Sequence, residues 1–442
     1  MRIDLGKSVT YAAKFNAEKY WEAPETIKLP SISNKNLDNM VAAFDEINYA
    51  FCKKNDSILT SIPMDEAHLQ YLYSLGFSFH NVPVFRDLSK LKEGKVDYKI
   101  EDFNEIEFSS AAELSTYAVT KEYIELSDKY GFSYDHPDLE TIKKVNSKRY
   151  STLLAKELNC NDFSYLIDDV NQLNTVGKEL LETSGGIMLK EEYGVSGKGN
   201  IKLADLKALQ RISGYCFTQL KKGKKLSFIL EPFFPIQTDF SVQYKIGRLG
   251  NSERISIQKI LNNQSTYNGS INLDDELMNR LEDEGYFSIM EKVCDRLYSD
   301  GYYGDVCIDS MILTNGRIIP IVEINARKSM SLIKHCLEQK ISSFEGVKKL
   351  TCLFYIDLTC RGHITFDDIL NELMINDLLY TDQRREGVIP LTANTLFINR
   401  ILTDRDSYKG RLYFMAVTRH TGMELLIRKA KDICNQFNFI NS

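Results

Sequence analysis

The sequence predicts an α/β protein of two or three domains, and three observations carry that reading. Its 442 residues exceed what one small core organises. Near the N-terminus a short apolar strand leads through a turn into a helix, the order that builds a parallel sheet. Residues 301–330, GYYGDVCIDSMILTNGRIIPIVEINARKSM, read instead as two apolar strands joined across Asn315-Gly316, a hairpin signal.

Taken in order, residues 38–54 read as an amphipathic helix and SILTSI (57–62) as a short buried strand. Asp65 then caps a helix that runs through Leu75 and stops at Gly76. Gly6-Lys7-Ser8 has the form of a phosphate-loop tail but lacks the upstream glycine and strand, so it reads as chance. A helical pattern spans residues 109–130, and Pro137 opens another, PDLETIKKVNSKRYSTLLAKELN. Strands follow at 187–190, 226–230, 238–246 and 254–261, with an acid-rich helix at 272–299. After the hairpin the pattern gives a helix at 331–340, a strand at 349–359, and helices at 366–376 and 423–437. No repeat or low-complexity segment interrupts it.

Composition narrows the function classes. Hydrophobic and charged contents of 43% and 26% are those of a soluble globular chain, and no apolar run approaches membrane-spanning length. The first residues carry no apolar signal core. A net charge of −6 with dispersed basic residues leaves no footprint for nucleic acid. The one basic cluster, Lys221, Lys222, Lys224 and Lys225, reads as a solvated turn. Nine cysteines without a CxxC pair argue against a zinc site and a disulfide framework, and point to a cytoplasmic location. His363 and His420 have no serine or cysteine at a suggestive spacing, so covalent nucleophilic catalysis finds little support.

The hairpin holds the most informative chemistry. Alternation puts Glu323 and Asn325 on one face of its second strand. Whether Asp309 joins them depends on register. A two-residue loop sets Asp309 opposite Val322; a three-residue loop (Asn315 to Arg317) or one bulge sets it opposite Glu323. In the second register two carboxylates and an amide oxygen converge, a hard-oxygen set suited to Mg²⁺ bound with phosphate. The plain alternative is a polar sheet face with solvated acids. Arg327 and Lys328 come directly after.

Upstream, Lys190 ends a strand that enters EEYGVSGKGN, where Gly194, Gly197 and Gly199 flank Ser196 and Lys198. Glycines let a loop turn its N–H groups toward phosphate, though such a loop is more often a plain turn. GKG is not GK[ST], so a Walker loop is excluded. Lys148 stands beside Arg149 in a helix, where basic residues are usually solvated. Pro232 breaks a strand between Glu231 and the pair Phe233-Phe234, whose exposed backbone suits a flat base as well as the phenylalanines suit a core.

The order of these parts resembles the ATP-grasp superfamily of carboxylate–amine ligases: a helix lysine, a strand lysine with a glycine loop, Glu-x-x-aromatic, Asp, then Glu-x-Asn-x-Arg. The match runs over roughly residues 140–331. SIPMDEAHLQYLYSLGF, NSKRY and KGRLYF further resemble the butirosin amino acid–carrier protein ligase and pheganomycin peptide ligase type. The resemblance implies an α/β (α+β) ATP-grasp fold, with a pre-ATP-grasp domain over 1–120 and an ATP-grasp domain over 121–340. It also implies a mobile lid at about 150–230 and an α/β C-terminal extension over 341–442.

It further implies ATP and Mg²⁺ as cofactors. Lys148 and Lys190 would hold the phosphates under a lid containing Gly194, Ser196, Gly197 and Gly199. Glu231, Phe233 and Phe234 would receive adenine, and Asp239 the ribose. Asp309, Glu323 and Asn325 would bind the metal. Arg327 would meet the carboxylate or acyl phosphate, with Lys328 and Ser329 beside it. Many relatives place an arginine where this chain has Cys307, so Arg254 or Lys259 is expected to supply that charge. The implied partners are an amino acid or peptide and possibly an acyl- or peptidyl-carrier protein. The competing readings are a nucleotide-binding protein without catalysis and a bicarbonate-activating carboxylase. For the latter, no biotin-carrier segment resembling AMKM is present.

Overall fold

The computed structural model describes residues 8–438, apart from 33, 89–90, 92–95, 97, 104–105, 107–111, 195–198, 264–265, 344–348, 404–406 and 420–421. Gly6 and Lys7, and His420, therefore lie outside the described residues, as do Ser196 and Gly197 of the glycine loop.

Three sheets organise the chain. The first is parallel and five-stranded: β1 (Val9–Ala12), β2 (Ser57–Thr60), β3 (His80–Pro83), β4 (Glu113–Thr116) and β5 (Ser133–Tyr134), in the order β3-β2-β1-β4-β5. Its strands are short, two to four residues each, and helix Glu66–Ser74 follows β2 with Asp65 accepting from the amides of Ala67 and His68. That cap was legible. Two other expectations change. Helix Lys35–Ala43 tightens into a 3₁₀ turn over Phe44–Ala50, and the pattern over 109–130 is strand β4 followed by helix Lys121–Tyr130. Strand β4, ELST, buries only Leu114 and Thr116, an alternation too short to stand out from the helical period that follows it.

The second sheet has four strands: β6 (Tyr165–Ile167), β7 (Ile187–Glu191), β8 (Asn200–Leu203) and β9 (Phe228–Pro232), ordered β6-β9-β7-β8. Helices Val170–Ser184 and Leu206–Leu220 cover it, each started by an aspartate cap. This unit has its own apolar core around Ile167, Leu189, Leu209 and Leu230. Ile27 and Leu29 belong to that core although they lie far earlier in the chain.

The third sheet has eight strands: β10 (Ile236–Ile246), β11 (Ser252–Asn263), β12 (Thr266–Asn272), β13 (Gly304–Leu313), β14 (Ile318–Asn325), β15 (Leu350–Arg361), β16 (Gly387–Pro390) and β17 (Ser407–Thr418). Their order is β14-β13-β10-β11-β12-β15-β17-β16, and β10 through β14 pair antiparallel. Strands β12, β16 and β17 are not among the strands expected from the sequence, although LYFMAV of β17 is an apolar, β-prone run. The last hundred residues thus continue the sheet that bears the hairpin. The acid-rich helix is two, Asp275–Asp283 and Tyr286–Ser299, parted at Gly285 with φ +72°. Likewise Ser147 divides the helix after Pro137 into Leu139–Asn146 and Lys148–Glu157. One continuous core joins the first and third sheets, with the four-stranded unit standing apart on its own.

Candidate functional site

The hairpin β13–β14 turns through Thr314, Asn315 and Gly316, with the Leu313 amide donating to the Arg317 carbonyl. That register alone would set Asp309 across from Ile321. Between Asp309 and Met311 the pairing jogs: Met311 faces Ile319, but Asp309 faces Glu323 and Cys307 faces Asn325. The jog sits at Pro320, which has no amide to give the ladder. Its carbonyl accepts from the Ser310 hydroxyl at 2.7 Å. The irregularity, and not the loop, brings the two acids opposite each other.

Asp309 is half-buried, and desolvation together with the neighbouring Glu323 lifts its carboxyl to about 7. Asn325 donates its amide to Asp309 Oδ2 at 2.9 Å. Lys148, 6% exposed at the first turn of its helix, gives its ammonium to Glu323 Oε1 at 2.9 Å and to the Gly194 carbonyl at 3.3 Å. One lysine thus ties the hairpin, its own helix and the start of the glycine loop. A pair of close carboxylates in which one is pushed toward protonation is a site short of positive charge. That donor set fits a hard divalent cation: Asp309 and Glu323, with the Asn325 amide beside them. Among the described residues no group of three or more His, Cys, Asp or Glu side chains gathers for a metal.

Lys190 leaves β7 to pair with Glu231 of β9. Ser164 donates to the other oxygen of that carboxylate at 2.7 Å. Beyond Glu231, Lys202 lies over the ring of Phe233, and Phe234 meets Phe163 edge-on beside Met311 and Val322. Asp239 is on the same sheet face as Asp309, two strands' width from the edge; burial raises its carboxyl, and Asn262 donates to it at 2.7 Å. Gly199 has φ +85°, and a Cβ there would meet Glu191 Oε2 at 2.8 Å, so the return of the loop demands glycine.

Arg327 is the most fully engaged side chain of the site. Its Nε and Nη2 donate to Glu18 Oε1 at 3.0 and 2.6 Å, and Nη2 also reaches Asn325 Oδ1 at 3.0 Å. Nη1 reaches the Tyr117 hydroxyl at 3.2 Å and the Lys328 carbonyl at 3.0 Å. All five N–H groups of the guanidinium are used. Lys328 turns to Ser115 Oγ at 3.0 Å and the Thr116 carbonyl at 2.6 Å. Burial lowers its ammonium pKa, which Asp305 partly offsets. Ser329 is buried and its hydroxyl accepts from the Leu332 amide at the start of helix Met330–Ser343.

Arg254 and Lys259 are not brought to this face. Arg254 is opposite Tyr244, stacked at 3.9 Å on Phe287 of helix Tyr286–Ser299, and Lys259 is opposite Phe240. Around Cys307 the near face holds Gln243, whose amide donates to Cys307 Sγ at 3.5 Å and to Ser241 at 2.9 Å. Sequence reasoning missed Glu18, Tyr117, Gln243 and Ser164. Each acts across 64 to 309 positions of chain, and no local spacing announces such a partner.

No family model matches the chain. It is 22% identical to the [butirosin acyl-carrier protein]–L-glutamate ligase of Niallia circulans over 426 residues, 92% of this chain and 90% of that one. The structure of the Staphylococcus aureus N5-carboxyaminoimidazole synthetase complexed with ADP superposes with a TM-score of 0.52 at 12% identity, covering 97% of this chain and 98% of the other. The Campylobacter jejuni biotin carboxylase in its β-γ-ATP complex gives 0.53 at 12% identity, covering 90% and 92%. The fold is therefore the ATP-grasp fold, along nearly the whole chain. Among the described residues no helix is long and apolar enough to cross a membrane.

Proposed function

We propose that the chain is an ADP-forming ligase that activates the carboxylate of an amino acid or peptide as an acyl phosphate and joins it to an amine or a carrier-protein thiol. The observation that carries the reading is the facing pair Asp309 and Glu323, with Lys148 bonded to Glu323 and to the glycine loop. The similarity to a carrier-protein–glutamate ligase supports the choice of substrate class and of a carrier as one acceptor. Neighbours whose structures are an ADP complex and a β-γ-ATP complex support the nucleotide.

A carboxylate acylates poorly because oxide is a poor leaving group. Attack of its oxygen on the γ-phosphorus of ATP releases ADP and leaves an acyl phosphate; an amine or thiol then attacks the carbonyl carbon, loses its proton and expels phosphate. The protein's work is alignment and charge neutralisation. Lys148 and Lys190, each now held on an internal carboxylate, are the cations for the phosphates. Residues 231–234 and Asp239 take the adenosine, with Phe163, Phe234 and Met311 supplying an apolar wall. Asp309, Glu323 and Asn325 would hold Mg²⁺, which would supply charge neutralisation for the transferring phosphoryl group. Arg327 steadies the carboxylate end, with Lys328 and Ser329 behind it. Cys307 and Gln243 supply no charge where many relatives carry an arginine. Lys148, bonded to Glu323, and Arg327, bonded to Asn325, are cations in contact with the set of Asp309, Glu323 and Asn325.

The test is incubation with ATP, Mg²⁺ and pooled amino acids, separating ADP from AMP. Amino-acid-dependent ADP is expected. AMP would end the acyl-phosphate mechanism, and ADP formed only with bicarbonate would move the chain to the carboxylases.

A further inference from the structure

Arg327, the residue expected to meet the substrate, has no free N–H to offer, and the fork that a carboxylate would take already holds one. Glu18 Oε1 accepts from both Nε and Nη2, while Glu18 Oε2 is buried with no hydrogen-bond partner among the described residues. The pair is almost wholly enclosed, at 11% and 7% side-chain exposure. An internal carboxylate held by one oxygen in a guanidinium fork is an incomplete version of the bidentate contact a substrate carboxylate makes there.

The chain just beyond Glu18 gives it a way to leave. Residues 18–21 form one helical turn, anchored by the Trp21 indole donating to the Val119 carbonyl at 2.9 Å. The next eight residues run out as a strap that joins the four-stranded unit. Thr26 bridges to Lys225, the Ile27 amide donates to the Lys225 carbonyl and the Lys225 amide to the Glu25 carbonyl, both at 2.8 Å. Tyr215 donates to the Lys28 carbonyl at 2.8 Å, and the Leu29 amide donates to Glu191, the residue after Lys190. Ile27 and Leu29 are 1% and 4% exposed inside that unit's separate core. A unit with its own core is one cooperative piece. Any movement of this one relative to β14 pulls on a segment whose other end is Glu18.

We propose that Glu18 is a positioning residue that occupies the carboxylate fork of Arg327 in the nucleotide-free protein, and that the strap carries the lid's closure over nucleotide to Glu18 and frees Arg327 for substrate. Nucleotide binding then precedes, and makes room for, the carboxylate. This rests on the nucleotide-binding reading above, and the experiment separates the two.

Trp21 is the only tryptophan in the chain and sits three residues from Glu18. Its emission and its quenching by acrylamide are followed while Mg·ADP is added, with binding measured independently by calorimetry. A saturable change in quenching of about twofold is expected, because the strap moves with the bound population. In Glu18→Gln, which loses the charge but keeps the shape, the nucleotide-free signal should already lie toward the bound value and the step should shrink. Leu29→Ala, which loosens the strap in the lid core and leaves Glu18 in place, should bind nucleotide yet lose the Trp21 step. Failure to bind nucleotide would overturn the functional reading. Binding with an unmoved Trp21 in the unmodified protein would overturn the coupling alone. A full-sized step in either variant would also overturn it, and if Glu18→Gln does not fold, the Leu29→Ala result decides.

Discussion

The two charged clusters at the end of β14 are a few residues apart in sequence and opposite in character. Around Arg327 every donor is satisfied: one carboxylate, one amide oxygen, one phenol and one carbonyl account for the whole guanidinium. Around Asp309 the charges do not close. Two carboxylates share one lysine and one amide, and burial pushes Asp309 up to about 7. The difference teaches how to read a site without its ligands. A closed cluster is holding something in place, and an open one is short of a charge that must come from outside.

The largest effect should come from the open cluster. Glu323→Ala removes a facing carboxylate and strands Lys148, and it should lower ADP formation by roughly 10³-fold, the scale of losing one electrostatic stabiliser. A coupled ADP assay, with circular dichroism to establish folding, reads it. A loss below tenfold would take Glu323 out of the metal set.

Breaking the closed cluster should appear first as instability. Arg327→Ala leaves Glu18 buried and unpaired, which costs about 3–5 kcal/mol. Urea unfolding measures the loss, and any activity left in the folded fraction should have a raised KM for the carboxylate and little change in ATP affinity. Unaltered stability would mean that Glu18 finds another partner readily.

The smallest effect separates the clusters by sign. The folded protein holds Asp309 above its unfolded value of ~4. The stability this confers is fully present below that value and lost as pH rises to about 7. Asp309→Asn should therefore stabilise the nucleotide-free protein at pH 7.5 by about 1–2 kcal/mol while abolishing turnover, with the gain fading towards pH 4. Equal thermal midpoints of the two proteins at both ends of that range would show that Asp309 is not strained.

The sequence told most where chemistry and local pattern coincide. Glu323, Asn325 and Arg327 stand out because charged residues punctuate an apolar strand, and Asp65 stands out because a cap precedes a periodic run. Asp309 was half legible: a bulge was one of the two ways to set it opposite Glu323, but no local pattern says that the pairing jogs between Asp309 and Met311. Glu18 was not legible at all. Its partner is 309 positions away, and NAEKYW carries no pattern that differs from an exposed helical turn. Arg254 was misplaced by the same blindness. Whether a strand residue faces the site or the opposite helix depends on a bulge between Gln243 and Tyr244, which only the paired strands reveal.

The continuation of the hairpin sheet through β15, β17 and β16 also bears on how the chain can be divided. Strand β12 pairs with β15 at Gly269–Phe354, Ser270–Leu353 and Ile271–Cys352. Gly269 meets Leu353 so closely that a Cβ would fall 2.1 Å from its carbonyl oxygen. A truncated protein ending near residue 343 would not shed an appendage; it would bare the β12 edge, a row of unpaired amides and carbonyls. Such an edge recruits a strand from another molecule. Cut there, the chain becomes a template for its own aggregation.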